Sequence, residues 1–570
     1  MTSSSHSPAP SPQSRPWLGP LADALAEALP RLYGVQPDPL VRELIVALTG
    51  ALERGELELS LQGPPPEGVT AAAWPQGHSD ALERSGLAQE CNAATGALPP
   101  LLRTGQGVGW RLWQQQLQTL LAELEQRAQA GLAEPIADDA QQEAVEAAVR
   151  RGGLDQQQRQ AVQGLLKHRF VLLGGGPGTG KTATVVQMLA AVLSLRPQLR
   201  VHLSAPTGKA AARLKQAIDS RSASLPETLA GQLAGLPCTT LHRLLESQGE
   251  RFGRHRQHPL ALDLVVVDEV SMLDLTLASA LLEALPEQAQ LLLVGDPDQL
   301  RPVGPGAILC ALDQPEQRRG LGEAAITLTT TYRNQGAIAA VANRLRQGDR
   351  QAVLDQLEQL GANDNISWLR CAPPRLPAEL KVRMRAQREE LGQRARAFSP
   401  ESPGSAAAGT ALLLQLEAFV VLSPLRRGPW GTEELNRLLL EDQGGRGAAS
   451  WPIGTPVLCT RNQPGEDLAN GDVGVVVATA TGRAVLFPGL GGNNQQDLRL
   501  VHPALLEGAE AAFALTIHKA QGSEYAAVGL VVPRSEVGEW RGLYTGLTRA
   551  RQEVVLVTPQ DPGWLPELLA

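Results

Sequence analysis

This chain of 570 residues lacks the features of a membrane or secreted protein. No apolar run approaches the ~18 residues that a membrane span needs, and the start has neither the basic region nor the apolar core of a signal peptide. The five cysteines are odd in number, far apart and without a C-x-x-C pair. Their spacing argues against a disulfide framework, a zinc site or an iron–sulfur cluster, and it predicts a reducing cytoplasm as the location.

Aromatic residues and positive charge are also scarce. Aromatics make up 3% of the chain, so extensive base stacking of the single-strand-binding type is not expected. The net charge is −8, and the chain as a whole does not attract a polyanion. Any contact with nucleic acid must therefore come from a local groove.

The most informative segment that is present is glycine-rich. Four apolar residues, 170–173, predict a buried strand, and residues 183–193 predict a helix. Between them the chain matches the phosphate-binding pattern G-x-x-x-x-G-K-[ST], in which backbone amides curl around phosphate oxygens. Lys181 is placed to reach the β- and γ-phosphates of ATP, and the Thr182 hydroxyl to ligate Mg²⁺. A purely structural glycine turn is the alternative. The predicted nucleotide-binding residues are Gly175, Gly176, Pro177, Gly178, Thr179, Gly180, Lys181 and Thr182.

Two polar groups follow later predicted strands. Asp268 and Glu269 come directly after the apolar run 264–267, where a P-loop enzyme holds Mg²⁺ with an aspartate and orients or deprotonates the attacking water with the next residue. Gln299 follows the run 291–294 and is expected to face the γ-phosphate and report the nucleotide state. A Pro/Gly turn would explain the glycines around Gln299, but not an amide at that position.

Two arginines complete the predicted catalytic set. Arg333 and Arg549 lie in segments that suit a second lobe, and such a lobe supplies arginines that stabilise charge on the transferring phosphoryl group. The alternative for each is a surface salt bridge. The predicted catalytic residues are thus Lys181, Asp268, Glu269, Gln299, Arg333 and Arg549.

The chain alternates strands and helices from about residue 154, which predicts an α/β fold with parallel sheets. The region before it looks mostly helical and carries no catalytic motif, and short β-type runs between 452 and 503 suggest a small barrel. Residues 375–412 suggest a helix followed by a flexible linker. The predicted divisions are a disordered tail (1–16), a helical docking domain (17–150), a first motor domain (151–325), a second motor domain in two parts (326–440 and 513–570) and a β insertion (441–512).

Several further segments stand in the order found in superfamily 1 helicases, which the chain resembles from about 154 to 559. These are the Gln motif at 154–162, motif Ia at 204–214, its neighbour at 239–245, motif V at 514–525 and motif VI at 543–550. Within that superfamily, the amino-acid sequences of segments 267–274, 422–436 and 470–474 resemble the corresponding motifs of the RecD branch. The resemblance implies an ATP-dependent DNA helicase with two RecA-like P-loop lobes, an SH3-like β insertion in the second lobe, and Gln158 reading adenine.

The resemblance also implies a path for single-stranded DNA across the two lobes and movement 5′→3′. A small strand-separating element is expected within 246–262. Backbone phosphates would be held without sequence preference, so that binding is sensitive to salt. For His242 and His518 the alternative is a packed core histidine. The predicted DNA-binding residues are Pro206, Thr207, Lys209, Thr240, His242, Thr516, His518 and Lys519.

The segment 38–61 resembles the N-terminal docking domain of exodeoxyribonuclease V alpha subunits. This resemblance implies a heterotrimer with larger RecB- and RecC-like subunits that processes duplex DNA ends for recombinational repair. A stand-alone RecD-like helicase is the alternative. A scaffold without catalysis is disfavoured because the P-loop lysine, the acidic pair and both arginines are present. A nuclease site within this chain is disfavoured because no second acidic cluster accompanies a lysine.

Overall fold

The computed structural model describes residues 18–66, 68–90, 98–105, 107–249, 251–332, 336–440, 447–466, 468–480, 482–489, 498–533, 540–561 and 565. The predicted tail 1–16, Arg333 and the start of the predicted β insertion at 441 lie outside these residues. The chain forms two compact units. One comprises residues up to 123 together with 273–279 and 301–311, and the other comprises the rest.

The N-terminal unit is built on helices and one small sheet. Asp38 caps the second helix by accepting a hydrogen bond from Leu40 N, and Pro39 follows at the first helical position. The sheet has the order β1-β4-β3-β2, in which only the pairing of β2 with β3 is parallel. The elements of this region are α1 (Leu18–Leu32), α2 (Pro39–Glu53), β1 (Glu58–Ser60), α3 (Gln76–Ser85), β2 (Ala88–Glu90), β3 (Leu101–Thr104), β4 (Gly107–Trp110) and α4 (Arg111–Gln129).

This small sheet corrects the expectation for the region. The prediction of a mostly helical segment found α1, α2 and α4 but omitted four strands. Each of those strands has only three or four residues, which is too short for an alternating pattern to stand out. Their apolar residues, such as Leu59 and Leu101, are buried in one core with Leu44, Ile45 and Leu82.

The first lobe contains a six-stranded parallel sheet of order β12-β5-β11-β10-β6-β7. All six residues of β5 and of β11 are buried, as expected for central strands covered by helices on both faces. Its strands and the exposed hairpin β8–β9 are β5 (Phe170–Gly175), β6 (Val201–Ala205), β7 (Cys238–Thr240), β8 (Ser247–Gln248), β9 (Arg251–Phe252), β10 (Leu264–Val267), β11 (Gln290–Gly295) and β12 (Ala325–Leu328).

Nine helices of the described chain lie between residues 138 and 321. The helix after β5 begins at the P-loop lysine, as the strand–loop–helix prediction requires. The helices are α5 (Asp138–Gly152), α6 (Gln156–Lys167), α7 (Lys181–Leu195), α8 (Gly208–Ser222), α9 (Glu227–Ala234), α10 (Leu241–Leu244), α11 (Leu275–Ala284), α12 (Ile308–Leu312) and α13 (Pro315–Leu321).

The second lobe contains a five-stranded parallel sheet of order β13-β22-β21-β14-β20. The predicted division at residue 326 falls inside β12, which pairs with β5, so the chain leaves the first sheet only after Leu328. The elements are α14 (Ala337–Arg346), α15 (Arg350–Glu358), β13 (Ile366–Arg370), α16 (Ala378–Ala397), α17 (Ser405–Gln415), β14 (Phe419–Ser423), α18 (Thr432–Leu440), β20 (Ala514–Thr516), β21 (Tyr525–Val531), α19 (Trp540–Leu547) and β22 (Ala550–Thr558).

Between α18 and β20 the chain forms a separate antiparallel sheet of order β18-β17-β16-β15-β19. The three predicted β-type runs correspond to its first three strands. Its strands are β15 (Pro456–Cys459), β16 (Val473–Thr479), β17 (Gly482–Pro488), β18 (Leu498–Val501) and β19 (Ala509–Ala511).

The expected flexible linker before Leu412 is wrong. Residues 405–415 form α17, whose Leu412 is buried and whose start follows Gly404 at φ 86°. The apolar runs 170–173, 264–267 and 291–294 lie in β5, β10 and β11, and the two parallel sheets confirm the α/β class. None of the described helices combines the length and apolar character that a bilayer crossing requires.

Candidate nucleotide cleft and nucleic-acid groove

The glycine-rich loop between β5 and α7 is tightly folded. Gly178 and Gly180 have φ values of 74° and 84°, which strongly favour glycine. A Cβ added at Gly175 would lie 2.8 Å from Thr179 Oγ1, so that position too requires glycine. Lys181 Nζ donates to the carbonyls of Gly175 at 2.6 Å and Gly176 at 3.0 Å, which places the ammonium within the loop.

The amino terminus of α7 suits an anion. Gly180 occupies the capping position and has no side chain to cover the amides of the first turn. Those amides and the positive end of the helix dipole therefore face the loop, where phosphate oxygens are bound in proteins of this kind. Thr182, the second residue of α7, lines the same cleft as the loop.

The acidic pair lies at the end of β10. Asp268 is half-buried, and its Oδ1 accepts from Glu269 N at 2.9 Å. Burial, and secondarily the neighbouring Glu269 charge, raises the pKa of Asp268 to about 7, while Lys181 acts in the opposite direction. Glu269 has φ 54°, a left-handed conformation that a residue with a Cβ rarely adopts. Such strain is concentrated at functional sites.

The donor set around Asp268 fits Mg²⁺. A carboxylate and the hydroxyl of Thr182 are the hard oxygen ligands that this ion prefers, and both residues line the cleft that holds the P-loop. A cation bound there would offset the desolvation of the Asp268 charge. Among the described residues, Lys181 is the one whose positive charge lowers the pKa of Asp268.

Gln299 lies after β11 and is buried, and its Nε2 donates to Asp296 Oδ2 at 3.3 Å. The Asp296 carboxylate also accepts from Tyr544 of the second lobe. Gln299 and Arg549 line a cleft of about 2570 Å³ that is shared with the P-loop and the acidic pair. The structure thus brings together Lys181, Thr182, Asp268, Glu269, Gln299 and Arg549 in one cleft.

Arg549 comes from the second lobe and is buried. Its Nε donates to Thr545 O and its Nη1 to Ser523 O, both at 3.2 Å. These two bonds fix the guanidinium but leave its charge unneutralised, because carbonyl oxygens carry no formal charge. Arg549 lines the same cleft as the P-loop, and its phosphoryl-stabilising role stays a prediction. Arg333 lies outside the described residues.

Gln158 has a structural task that the sequence did not reveal. It is the third residue of α6 and forms a capping box with Asp155, whose backbone N donates to Gln158 Oε1 at 3.1 Å. Its Nε2 is turned to the P-loop, 2.8 Å from where a Cβ of Gly180 would lie. Gln158 is not among the residues that line the cleft, so its role in reading adenine stays a prediction.

Tyr332 is a residue that sequence reasoning missed. Its backbone N donates to Gly178 O at 2.9 Å, and its hydroxyl donates to Asp155 Oδ2 at 2.9 Å. It thus links the P-loop to the start of α6, and it lines the cleft with an exposed ring. The sequence feature that could have indicated Tyr332 is its position next to Arg333, one of the two predicted catalytic arginines.

The predicted DNA contacts of the first lobe line a groove continuous with the cleft. Thr207 caps α8 and Thr240 caps α10 through their hydroxyls. His242 and His518 are both exposed, which does not fit the alternative of packed core histidines. The groove-lining members of the predicted set are Pro206, Thr207, Lys209, Thr240 and His242.

The predicted contacts of the second lobe are placed differently. Thr516, His518 and Lys519 follow β20 and are not among the groove-lining residues. Thr516 Oγ1 accepts from Lys519 N at 3.3 Å, and Lys519 Nζ donates to Glu510 at 2.7 Å. The charge of Lys519 is therefore already paired with a carboxylate.

The groove carries further cations that the motif pattern did not indicate. Arg213 of α8 and Arg551 of β22 contact the two carboxylate oxygens of Glu417, at 3.2 Å and 3.3 Å. Arg213 also donates to Glu524 O at 3.0 Å. The exposed Arg243 lies beside His242 in the same lining. Only the folded chain brings these distant residues together.

Comparison with known proteins identifies two regions of the chain. Residues 158–305 match the family model described as an AAA domain, and residues 511–557 match that of the UvrD-like helicase C-terminal domain. The RecBCD enzyme subunit RecD of Mycolicibacterium smegmatis is 38% identical over 421 residues, which cover 70% of each chain.

Two further relatives are more distant. The ATP-dependent RecD2 DNA helicase of Deinococcus radiodurans is 33% identical over 70% of this chain and 48% of its own length. A solved structure of the Pif1 helicase from Bacteroides, in complex with ADP-AlF3 and single-stranded DNA, is 16% identical with a TM-score of 0.36. It covers 70% of this chain and 90% of that chain.

Proposed function

The chain belongs to the RecD family of ATP-dependent DNA helicases, and from that premise we propose that it is the 5′→3′ helicase subunit of a RecBCD-like exodeoxyribonuclease V complex. In this role it processes duplex DNA ends for recombinational repair, and a partner subunit supplies the nuclease. The observation that supports ATP hydrolysis is a single cleft, which is lined by the P-loop and acidic pair of the first lobe and by Arg549 of the second.

Each residue of the cleft has a distinct task in ATP hydrolysis. The P-loop amides and Lys181 hold the phosphates, and Glu269 accepts a proton from the attacking water or orients it. Thr182 and Asp268 would hold Mg²⁺, which would supply positive charge to offset that of the phosphates. Arg549, and Arg333 by the family pattern, stabilise the charge that develops on the transferred phosphoryl group.

The groove residues hold a single DNA strand through its phosphates. Thr207, Thr240 and His242 offer hydroxyl and imidazole groups, and Lys209 offers a positive charge. The two lobes correspond to RecA-like motor domains, since each has a parallel sheet flanked by helices. Cycles of lobe closure and opening move the strand, and the two ATP-binding lobes grip it alternately.

Two smaller elements have proposed tasks. The five-stranded antiparallel sheet of residues 456–511 corresponds to the SH3-like insertion of the family. The hairpin β8–β9, within 246–262, is the candidate strand-separating element. It is short and exposed, and Arg254 braces it by donating to Glu246 Oε1 at 2.6 Å.

The N-terminal unit is the proposed docking surface for RecB- or RecC-like partners. It has its own apolar core and yet exposes large apolar side chains, among them Leu32 at 77% and Leu112 at 71%. The matched region covers 70% of the length of the Mycolicibacterium smegmatis RecBCD subunit but 48% of the RecD2 helicase, and this supports the complex over the stand-alone alternative.

Co-purification from the native cell tests the complex. We expect the chain to elute with two much larger proteins and to lose them when residues 1–110 are deleted, while nucleotide binding persists. Elution of the full chain alone, with helicase activity, would support the stand-alone alternative instead.

A further inference from the structure

A buried polar junction joins the two lobes behind the nucleotide cleft. Tyr544 of α19 donates from its hydroxyl to Asp296 Oδ2 at 2.9 Å, and Gln299 Nε2 donates to the same oxygen at 3.3 Å. Tyr544 and Asp296 are each 1% exposed and Gln299 is 5% exposed. One carboxylate oxygen of the first lobe therefore binds both a second-lobe phenol and the amide that faces the cleft.

The chemistry of the junction fixes which way the Gln299 amide points. An ionised carboxylate only accepts hydrogen bonds, so the NH₂ group of Gln299 must face Asp296 and the carbonyl must face away. Gln299 Oε1 is buried, and among the described residues it has no hydrogen-bond partner. A buried acceptor of this kind costs free energy unless a donor reaches it. Gln299 lines the cleft that contains the P-loop and the acidic pair.

Resting on the proposed function, we infer that Tyr544 is a positioning residue for ATP hydrolysis. Its hydroxyl holds Asp296 so that Gln299 presents its carbonyl oxygen to the attacking water only when the second lobe is docked. Opening of the lobes removes the phenol, and Asp296 Oδ2 is then free to rotate with Gln299. The orientation of the Gln299 amide in the first lobe thereby depends on the position of the second lobe.

The neighbours of the junction support a bond that forms with lobe closure. Leu300, next to Gln299, packs in the apolar core of the second lobe. Its N donates to Thr545 Oγ1 at 2.9 Å, and its carbonyl accepts from Gln521 Nε2 at 3.1 Å. The segment that carries Gln299 is thus held by the second lobe on both sides of the Leu300 peptide.

The phenol stays a donor over the working pH range. Burial, together with the charge of Asp296, raises the pKa of Tyr544 well above its usual value. The other charged groups that face it are Asp298 and Arg346, which form an ion pair of 2.5 Å. The Tyr544 hydroxyl therefore keeps its proton and donates it in the hydrogen bond to Asp296.

The test is a double-mutant cycle on the full chain, with ATP turnover measured in the presence of oligo(dT). Tyr544→Phe removes only the hydroxyl, and we expect kcat to fall about tenfold while KM for ATP changes less than about twofold. In a Gln299→Ala background the same change should cost nothing further, because the amide it positions is gone. Asp296→Asn, which leaves the Gln299 orientation unfixed, should reproduce the loss if Tyr544→Phe does not fold.

Tyr33→Phe is the matched control, since it removes an identical hydroxyl, one that donates to Leu98 O in the N-terminal unit. This control should leave kcat unchanged with or without Gln299→Ala. Unchanged kcat in Tyr544→Phe, or an effect that multiplies with Gln299→Ala, would overturn the inference alone. Unchanged turnover in Gln299→Ala would overturn both the inference and the expected placement of Gln299 at the γ-phosphate, whereas no DNA-stimulated turnover in the wild type would overturn the proposed function.

Discussion

Glu417→Gln removes a carboxylate that two arginines of the nucleic-acid groove share. Glu417 precedes β14 and contacts Arg213 of the first lobe at 3.2 Å and Arg551 of the second at 3.3 Å. All three side chains are partly exposed. Each pair therefore stabilises the arrangement by only about 0.2–1 kcal/mol. The larger consequence is for DNA, because both positive charges become available to phosphates.

The expected magnitude follows from counterion release. Each phosphate of a single strand that is neutralised adds about 0.7 to the slope of log affinity against log salt. Two released arginines add up to about 1.4, so the variant loses about sevenfold more affinity than the wild type between about 50 and 200 mM salt. At low salt we expect the variant to bind oligo(dT) more tightly than the wild type.

Fluorescence anisotropy of labelled oligo(dT) over a salt series measures both quantities. Glu433→Gln is the matched control, because Glu433 pairs with Arg426 and Arg427, which do not line the groove, and the change in net charge is identical. Equal slopes for the two variants would refute the placement of the Arg213 and Arg551 charges on the DNA path.

Three further predictions concern the cleft and the N-terminal unit. Lys181→Ala should abolish DNA-stimulated ATP hydrolysis, and Glu269→Gln should bind ATP but turn it over slowly; normal turnover in Lys181→Ala would contradict the P-loop assignment. Arg549→Ala and Arg333→Ala should each lower kcat by about 10³-fold or more with little change in ATP affinity, and a change in affinity alone would make that arginine structural. Deletion of residues 1–110 should abolish partner binding but spare the ATP site, as measured by binding of a fluorescent ATP analogue; loss of that binding in a folded truncation would refute a purely docking role.

The sequence predicted the parts of the cleft that depend on local chemistry. The loop that ends at Lys181 requires glycine at fixed positions, and Asp268 terminates a run of four buried apolar residues. Both signals are contained in fewer than about 15 residues and need no knowledge of the rest of the fold. The α/β class was predictable for the same reason, since buried parallel strands are continuous apolar runs.

The sequence could not predict pairings between distant segments. Tyr544 and Asp296 are 248 residues apart, and Arg213 and Glu417 are 204 apart. An isolated tyrosine or glutamate carries no local signal of its partner. Gln158 shows a second limit. A motif predicted that it contacts the nucleotide, but did not reveal that its side chain also caps helix α6.

The sequence-based prediction of helices and strands was wrong where the local residue pattern was weak. The strands β1 to β4 are too short to alternate visibly, and their pairing comes from tertiary contacts. The Ser/Pro/Gly-rich stretch before α17 favours a linker. The helix forms nevertheless, because alanine and leucine, which have high helix propensity, make up most of α17.

Strand displacement on matched tailed duplexes tests the central claim most directly. The wild-type chain, with the subunits that co-purify with it, is given ATP and the same duplex with a 5′ or a 3′ single-stranded tail. Lys181→Ala in the same assembly identifies the unwinding that this chain drives, because a partner motor keeps its own ATP site. The account predicts that the Lys181-dependent unwinding requires the 5′ tail, and Lys181-dependent unwinding that requires a 3′ tail would contradict it.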